Sequence, residues 1–242
     1  MRIDDGTALA MTLRIGVVAR DNLTGRVYEK LRRALMEGAF WPGDRLKIRD
    51  VAAQMGVSET PVREAVMQLV CERGLDMRAA KSIMVAELSL AKYLELRSIR
   101  LHLEGMAAEA ACAKITKAGI RHLKAVHRQL IEAETAGEWQ NAVRKNWEFH
   151  HTLYQAAELP ELLAIIEGIW LRNGPLINYQ YPHARPTYPG RHQHLNVIAA
   201  LEKGDPAAVS AAIKSDMIEG GALLVRLLER IERGEIDKKT LR

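Results

Sequence analysis

The sequence is poor in the residues that build cross-linked, secreted or membrane-spanning proteins. Of its 242 residues only two are cysteines, too few for a disulfide framework or a cysteine-based zinc site. No stretch approaches the ~18 uninterrupted apolar residues of a membrane span, and the most apolar run, 162–171, contains Glu167. Acidic side chains at Asp4 and Asp5 interrupt the apolar core that a secretory signal needs. We therefore expect a cytoplasmic protein with no membrane partner.

An excess of one sign of charge is also lacking. The chain has 35 Lys and Arg against 30 Asp and Glu, a net charge of +5, which permits nucleic-acid binding without demanding it. Hydrophobic residues make up 48% and charged residues 27%, so disorder is excluded as the main state. The sequence also contains no phosphate-binding loop, dinucleotide-binding glycine pattern or nucleophile motif. These absences argue against the corresponding classes of enzyme.

The N-terminal third shows a recognisable order of elements. A helix is predicted from Leu23, a short helix from Ile48 to Met55, and a further helix from Ser58. Two short strands follow, at 75–78 and 82–86. This order, a helix, a short helix, a tight turn, a further helix and two strands, is that of a winged helix-turn-helix. Small three-helix units also occur as interaction modules that do not bind DNA.

If this unit binds DNA, the start of its last helix faces the major groove. Donors placed there, together with one residue on the preceding helix and one at the tip of the wing, become the candidate contacts to phosphates and bases. These are Arg49, Ser58, Thr60, Arg63 and Lys81.

The remainder of the chain is predicted to be helical, and the first of its helices could be broken in two. The predicted helices span 89–113, 117–136, 138–157, 160–172, 190–203 and 206–232. Between Gly174 and Gly190 lie half of the prolines and half of the tyrosines. Such a segment is either a functional lid or a surface loop stiffened by proline.

Polar residues interrupt the inward stripes of three of these helices. Asn146 and His150 share the stripe of one helix, His194 lies on that of another, and Asp216 lies on that of the last. A buried polar group is costly unless it is paired, so we expect these four to meet. Two imidazoles, a carboxylate and an amide oxygen suit a divalent transition metal. A hydrogen-bonded network, with His150 on Asp216 and His194 on Asn146, fits the pattern equally well.

The N-terminal residues resemble a known family. The strings that carry the resemblance are Val27–Arg32, Pro42–Leu46 and Gly56–Ala65. Through them residues 21–86 are similar to the DNA-binding domain of the GntR family of bacterial transcription regulators, which implies operator DNA as the partner. The family usually has an arginine at the position of Glu59. A glutamate accepts from a cytosine amino group and repels phosphate, so we expect Glu59 to contact DNA with an altered operator preference.

The second region resembles the FCD ligand-binding domain of the FadR subgroup of this family. The carriers are Arg100–Glu104, Phe149–His150 and the run from His194 to Asp216. Many such domains hold a metal with an Asp or Asn, a His four residues on, and two further histidines. The positions that match are Asn146, His150, His194 and Asp216, so this sequence lacks the usual first Asp and last His. The resemblance implies a divalent metal such as zinc or nickel.

In such domains a small organic acid commonly binds over the metal. The resemblance therefore implies effector-binding side chains, for which the candidates are Arg100, Arg172, Arg191 and Tyr179. Arg191 precedes His194 by one helical turn and is expected to face the same cavity. Arg100 could instead pair with Glu104, and Arg172 could be a solvated residue at a helix end.

Together these observations predict a mainly α protein, with an N-terminal winged helix-turn-helix and a C-terminal antiparallel bundle of six or seven helices. The predicted division is a tail at 1–20, the DNA-binding domain at 21–86, an effector-binding and dimerisation domain at 87–232, and a C-terminal tail at 233–242. The expected function is that of a homodimeric, ligand-responsive repressor that binds a partly palindromic operator. The alternatives are a metal-dependent enzyme fused to a helix-turn-helix, and a helical scaffold without a ligand.

Overall fold

The computed structural model describes residues 23–79 and 82–242, so the tail expected at 1–20 and the wing residue Lys81 lie outside the described residues. The first part of the described chain consists of three helices and three strands. They are α1 (Leu23–Met36), β1 (Arg45–Leu46), α2 (Ile48–Met55), α3 (Glu59–Cys71), β2 (Leu75–Arg78) and β3 (Ser82–Val85).

Helices α1, α2 and α3 form the helical half of a winged helix-turn-helix. α1 buries Val27, Leu31 and Leu35, which are spaced four apart on one face, and packs with it against α3. α2 ends at Gly56, whose φ of 67° lies in the left-handed region that glycine adopts without a Cβ clash. This tight turn sets α3 across α2 and confirms the predicted helix-turn-helix.

The wing is an antiparallel three-stranded sheet in the order β1–β3–β2. Leu46 of β1 pairs with Ile83, and Leu75 of β2 pairs with Val85. All four side chains are buried, so the sheet covers one side of the helical unit. β2 and β3 were predicted, whereas β1 was not, because two residues are too few to show an alternating pattern.

The second part of the described chain is a bundle of seven helices. They are α4 (Leu90–Cys112), α5 (Lys117–Ala136), α6 (Trp139–Gln155), α7 (Pro160–Asn173), α8 (Gln193–Lys203), α9 (Pro206–Ser215) and α10 (Ala222–Glu232). α4 occupies the middle and packs against four of the others, α6, α7, α9 and α10. Side-chain caps begin α4, α5 and α9, where the side chains of Ser89, Thr116 and Asp205 accept backbone N–H groups three residues on. The predicted fold class, a mainly α chain with a winged helix-turn-helix and a helical bundle, is confirmed.

The structure departs from the predicted helices in two places. α4 is continuous, so it is not broken in two. The helix predicted over 206–232 is interrupted by a π-helical segment, Asp216–Gly220, and the part after it, α10, buries Leu224, Leu227 and Leu228. The pattern of an uninterrupted helix cannot show this change, because each half keeps its own helical period.

Two segments expected to be irregular are partly ordered. Gly174–Tyr179, the start of the predicted loop, is a buried 3₁₀ helix. The predicted C-terminal tail also contains a short 3₁₀ helix, Lys238–Leu241, and Leu241 is buried against the bundle. Apolar contacts that are distant in sequence order both segments, and local periodicity does not reveal such contacts.

The two parts of the chain share an extensive contact. Arg32 of α1 donates to Glu167 of α7 at 2.8 Å, and Arg242 forms an ion pair with Asp44 at 2.9 Å. Gly174 approaches α1 so closely that a Cβ there would lie 2.5 Å from a backbone carbonyl oxygen. Among the helices that the structure describes, none has both the length and the apolar composition that a membrane crossing requires.

Candidate metal centre and nucleic-acid interface

Three of the four predicted metal-binding residues meet inside the bundle. His150 lies on α6, His194 in the first turn of α8, and Asp216 begins the π segment. His150 Nε2 is 3.2 Å from Asp216 Oδ2 and 3.3 Å from His194 Nε2, and His194 Nε2 is 3.8 Å from the same carboxylate oxygen. All three side chains are buried, so three potential ligand atoms face one another out of reach of solvent.

The protonation states of the acid and of one imidazole follow from their surroundings. Burial alone would raise the pKa of the Asp216 carboxyl, but His194 and His150 outweigh it and hold this pKa far below its usual range. Burial lowers the pKa of His194 well below the ordinary imidazole value, and Asp216 opposes this only in part. Both directions favour the deprotonated forms, a carboxylate and a neutral imidazole, which are the forms that bind metals.

A hydrogen-bond relay sets the tautomer of His150. Tyr154 has one hydroxyl proton, which it donates to Glu104 Oε2 at 2.6 Å. Its oxygen therefore accepts the Nδ1–H of His150, at 3.1 Å. When the ring carries no second proton, its lone pair is on Nε2, the atom that faces Asp216 and His194. An outer hydrogen bond of this kind commonly orients a metal-binding histidine.

Glu104 is the fully buried acid on which this relay ends. It accepts Arg100 Nε at 2.5 Å and the Trp170 indole N–H at 2.9 Å, in addition to the hydroxyl of Tyr154. The guanidinium of Arg100 also lies 4.6 Å from the centre of the Trp170 ring. The pairing of Arg100 with Glu104 was predicted as an alternative. The contributions of Tyr154 and Trp170 were missed, because they come from other helices.

Separations of 3.2–3.8 Å between the three ligand atoms suit a small metal ion. Tetrahedral zinc with bonds of about 2.0–2.1 Å places neighbouring ligand atoms about 3.4 Å apart. His150 Nε2 and Asp216 Oδ2 also require a proton or a cation between them, since two lone pairs would otherwise face each other. A proton gives the hydrogen-bonded network, and a metal ion gives a coordination site with the same residues.

A cavity opens beside this cluster. His150, Asp216 and Asn146 line it, so the fourth predicted ligand shares this cavity with two of the other three. Its other walls come mainly from α4, the end of α7, the loop before α8 and the start of α10. They include Tyr93, Arg97, Arg100, Trp170, Tyr188 and Leu224.

Two cavity residues were not singled out from the sequence. Tyr188, in the proline- and tyrosine-rich loop, donates its hydroxyl to Asp216 Oδ1 at 2.8 Å, and burial followed by this carboxylate raises its pKa far above the usual value. Arg97 lies one turn before Arg100 on α4 and brings a second guanidinium to the cavity. The spacing of the two arginines could have indicated Arg97, whereas only the composition of the loop pointed towards Tyr188.

Three residues expected at the effector site lie elsewhere. Arg191 is exposed and donates to Asn196 at 2.5 Å. Because α8 begins only at Gln193, the helical spacing that placed Arg191 over the cavity does not apply. Arg172 lines a different cavity, between the two parts of the chain, and Tyr179 packs against Trp41 with ring centres 5.7 Å apart.

The start of α3 presents the predicted DNA-contacting residues to solvent. Ser58, Thr60 and Arg63 are exposed there, as is Arg49 on α2. Ser58 occupies the N-cap position, but its side chain makes no capping hydrogen bond, so the hydroxyl stays available. Glu59 Oε2 lies 3.5 Å from Arg63 Nη2, one turn further along the helix. Glu59 therefore lies on the same exposed surface as Arg63 and partly neutralises its charge.

Comparisons with known proteins agree with this architecture. Residues 23–85 match the family of bacterial regulatory proteins called the gntR family, and residues 95–218 match the FCD domain. The HTH-type transcriptional regulator McbR of Escherichia coli K12 is 30% identical over 218 residues, which cover 89% of this chain and 98% of that protein. The solved structure of E. coli McbR/YncC aligns with a TM-score of 0.78, covering 87% of this chain and 99% of that one.

More distant relatives show the same arrangement. The HTH-type transcriptional repressor RspR of E. coli K12 is 26% identical and covers 86% of this chain and 92% of its own. A GntR regulator from Rhodococcus sp. RHA1, at 20% identity, shares the fold with a TM-score of 0.70 and covers 85% of this chain and 99% of its own. The chain therefore belongs to the GntR family of bacterial regulatory proteins, as a DNA-binding transcriptional regulator with an FCD domain and not as an enzyme.

Proposed function

We propose that this regulator is a ligand-responsive repressor whose effector is a small carboxylic acid bound beside a divalent metal ion. One observation carries the proposal. The ligand atoms of His150, His194 and Asp216 converge at 3.2–3.8 Å on the wall of a cavity that also contains arginines. Such a cavity combines a site for a cation with groups that stabilise an anion.

In the proposed site, His150 Nε2, His194 Nε2 and an oxygen of Asp216 hold the metal, and the amide of Asn146 adds a neutral oxygen from the cavity side. The nitrogen-rich donor set suits zinc or nickel better than magnesium or calcium. When bound, the metal supplies a Lewis-acid position that the carboxylate of an effector can complete. The hydrogen bond from Tyr188 to Asp216 keeps the second carboxylate oxygen occupied.

The two arginines of the cavity have different roles in the proposed site. Arg100 is buried and engaged by Glu104, so it mainly holds the polar wall of the cavity in place. Arg97 is only partly buried and is the cation better placed to pair with an incoming carboxylate. The apolar part of a small mono- or dicarboxylic acid would lie against Tyr93, Trp170 and Leu224.

The DNA-binding half of the proposal rests on the exposed start of α3. Arg63, Ser58 and Thr60 would contact base edges or phosphates, with Arg49 on the backbone. A homodimer would place two such helices on half-sites about one helical turn apart. Ile99 and Met106, two turns apart on α4 and 41% and 51% exposed, form an apolar strip suited to a second copy of the chain. The repressor assignment follows the named activity of RspR.

The effector can change operator affinity only by favouring one arrangement of the two domains. A chain of side-chain contacts joins the candidate metal site to the winged domain. His151 follows the metal-binding His150 on α6, and its Nε2 lies 2.8 Å from Glu167 Oε1. The other oxygen of Glu167 accepts Arg32 of the winged domain at 2.8 Å. We propose that a shift of α6 upon ligand binding reaches α1 through this pair.

The test is a thermal-shift and binding series on the metal-loaded protein with a panel of small carboxylates. We expect at least one acid to raise the melting temperature and to change operator affinity. Arg97→Ala should weaken its binding by about tenfold or more without loss of metal, as expected for a charge-assisted hydrogen bond of 1.5–3 kcal/mol. Arg191→Ala is the matched control, because that arginine is exposed and bonded to Asn196.

The proposal would be contradicted if no carboxylate shifts the melting temperature while neutral or cationic metabolites do. It would also be contradicted if Arg97→Ala and Arg191→Ala weaken binding to the same extent, since only Arg97 lines the cavity.

A further inference from the structure

A second group of histidines adjoins the cluster already described. His127 lies on α5, His192 caps the start of α8, and His194 is shared with the first cluster. One nitrogen from each ring lies within 4.8 Å of the other two. The ring centres are 4.9 Å apart for His127 and His192, 4.5 Å for His192 and His194, and 5.5 Å for His127 and His194.

Two nitrogens of this group are buried without a partner. Among the described residues, nothing hydrogen-bonds to Nδ1 of His127 or to Nδ1 of His194. The two side chains are 7% and 0% exposed, so water does not compensate from the surface. A buried polar atom without a partner is costly, and native structures keep such atoms mainly where they serve a ligand or a reaction.

We propose that His127, His192 and His194 form a second binding position for a divalent transition metal, next to the position formed by His150, His194 and Asp216. The proposal goes beyond the proposed effector function and does not depend on it. Three imidazoles without a carboxylate select copper, nickel, zinc or cobalt over magnesium and calcium. Bonds of about 2.0–2.1 Å would draw the three nitrogens closer together, to about 3.4 Å.

The shared residue makes the two positions alternatives. Neutral His194 has a single lone pair, which can bind only one metal at a time. A metal in the three-histidine position leaves Asp216 free to keep its hydrogen bond from Tyr188. It also competes with the helix cap, because His192 Nδ1 accepts the backbone N–H of His194 at 3.1 Å. His192 is thus the weakest of the three ligands.

The consequence would reach the loop over the cavity. The ring of Tyr188 lies 4.5 Å from that of His192, centre to centre, and His192 ends the segment that carries Tyr188. A metal held by His192 would fix the end of this segment. A metal on Asp216 Oδ2 would leave the segment held only by the hydrogen bond from Tyr188 to Asp216 Oδ1. The position of the metal would therefore decide how the loop is held.

The test removes the first position and asks whether metal remains. The full-length His150→Ala/Asp216→Asn variant is dialysed after loading with Ni²⁺, Zn²⁺ or Cu²⁺, and bound metal is measured by elemental analysis. We expect about one equivalent to be retained. Adding His127→Ala should abolish retention. Adding His122→Ala should not, because His122 lies on the same helix but is exposed.

Absence of retained metal in the folded His150→Ala/Asp216→Asn variant would overturn the proposal, as would retention that survives His127→Ala. If that variant fails to fold, Cu²⁺ spectra of the otherwise unchanged chain decide. We expect the spectrum of the wild-type chain to show three coordinated nitrogens and that of His127→Ala to show one fewer. Identical spectra for the two chains would contradict the proposal. If only the position formed by His150, His194 and Asp216 fails to bind, the result is different. The wild-type chain would then hold metal, His127→Ala would lose it and His150→Ala would keep it.

Discussion

Tyr154 is the residue through which the polar core of the bundle contacts the candidate metal centre. It accepts the Nδ1–H of His150 because its own proton goes to Glu104. Tyr154→Phe removes that acceptor, so nothing keeps the proton of His150 away from Nε2. Loss of an outer hydrogen bond of this kind typically costs about 10–100-fold in metal affinity. We expect a loss in that range, measured by competition with a chromophoric chelator.

The matched control is Tyr181→Phe. This buried tyrosine also donates to a carboxylate, Glu134, at 2.5 Å, but it does not contact the ligand cluster. Its variant should retain wild-type metal affinity. Equal losses in the two variants would mean that the effect is one of general packing and not of the tautomer of His150.

Glu59 provides a second prediction at the scale of one side chain. Its carboxylate lies near Arg63 at the exposed start of α3. It therefore lowers the positive electrostatic potential that DNA phosphates would meet there. Glu59→Gln keeps the shape and removes the charge. Binding to non-specific DNA should tighten, and the slope of log K against log salt should steepen by about one unit or less. Fluorescence anisotropy at several salt concentrations measures both quantities.

A matched charge change elsewhere tests whether the effect is local. Glu161→Gln, in the first turn of α7, alters the net charge by the same amount on an exposed residue outside the winged domain. It should leave the salt slope unchanged. If Glu59→Gln and Glu161→Gln behave alike, Glu59 does not lie at the DNA surface.

The meeting of three polar residues inside the bundle could be predicted, whereas most of the other residues that line the cavity could not. His150, His194 and Asp216 interrupt apolar stripes, and a stripe fixes which way a side chain points. Arg191 could not be placed by the same argument, since it precedes its helix. Glu104 and Tyr188 take part through contacts between elements that are distant in sequence, for which a single sequence carries no periodic signal.

Among the elements, the C-terminal 3₁₀ helix is the one whose role the sequence did not indicate. Leu241 is buried with Leu176 and Leu224 of the bundle, and Arg242 pairs with Asp44 in the winged domain. Lys238 also pairs with Glu87, the residue that joins the two domains. This short segment therefore ties the winged domain to the helical domain.

Leu241→Ala tests that role. Replacing a buried leucine by alanine costs about 2–5 kcal/mol in a core, and a segment near the chain end should lie at the low end of that range. We expect a loss of about 2 kcal/mol in the free energy of unfolding, measured in urea, and faster hydrogen exchange in 238–242 and around Asp44. Lys239→Ala, at an exposed position of the same segment, is the control. A change confined to 238–242 would show that the segment does not hold the winged domain.

At the scale of the whole molecule, Glu167 connects the two domains. It binds Arg32 of the winged domain and His151 of the helical domain, each at 2.8 Å. The hydrogen bond with His151, followed by that with Arg32, lowers the pKa of Glu167 below its ordinary value of 4.5. A carboxyl with a lowered pKa stabilises the folded state above its unfolded pKa, and this contribution is lost as the pH falls through the folded value.

Glu167→Gln should therefore destabilise the protein at pH 7, by about 1–3 kcal/mol for hydrogen bonds to a charged group. The difference from wild type should stay constant down to about pH 5 and shrink below pH 4.5, where the wild-type carboxyl becomes protonated. Urea unfolding at a series of pH values measures it. A difference that does not depend on pH between 7 and 3.5 would show that the charge of Glu167 contributes nothing. The variant should also bind the operator normally while losing much of the effector response.

The overall arrangement was largely predictable, since amphipathic stripes and capping residues mark most helices. α5 agrees with its predicted limits, and α7 differs by a single residue at its end. How the two domains contact each other was not predictable. That contact depends on close approaches such as Gly174 against α1, and on ion pairs between residues that are more than a hundred positions apart, such as Arg32 and Glu167.

The π segment between α9 and α10 has a consequence for insertions and deletions. A π turn behaves as one extra residue inserted into an α-helix, and each helical residue advances the chain by about 100°. The insertion rotates α10 relative to α9, so that Asp216 reaches His150 and His194 while Leu224 and Leu228 are both buried. Deleting Ile218, which is 49% exposed and would leave almost no cavity, would undo this rotation. Either the carboxylate of Asp216 would then turn away from the two histidines, or Leu224 and Leu228 would turn out of the core. At this point the number of residues matters as much as their identity.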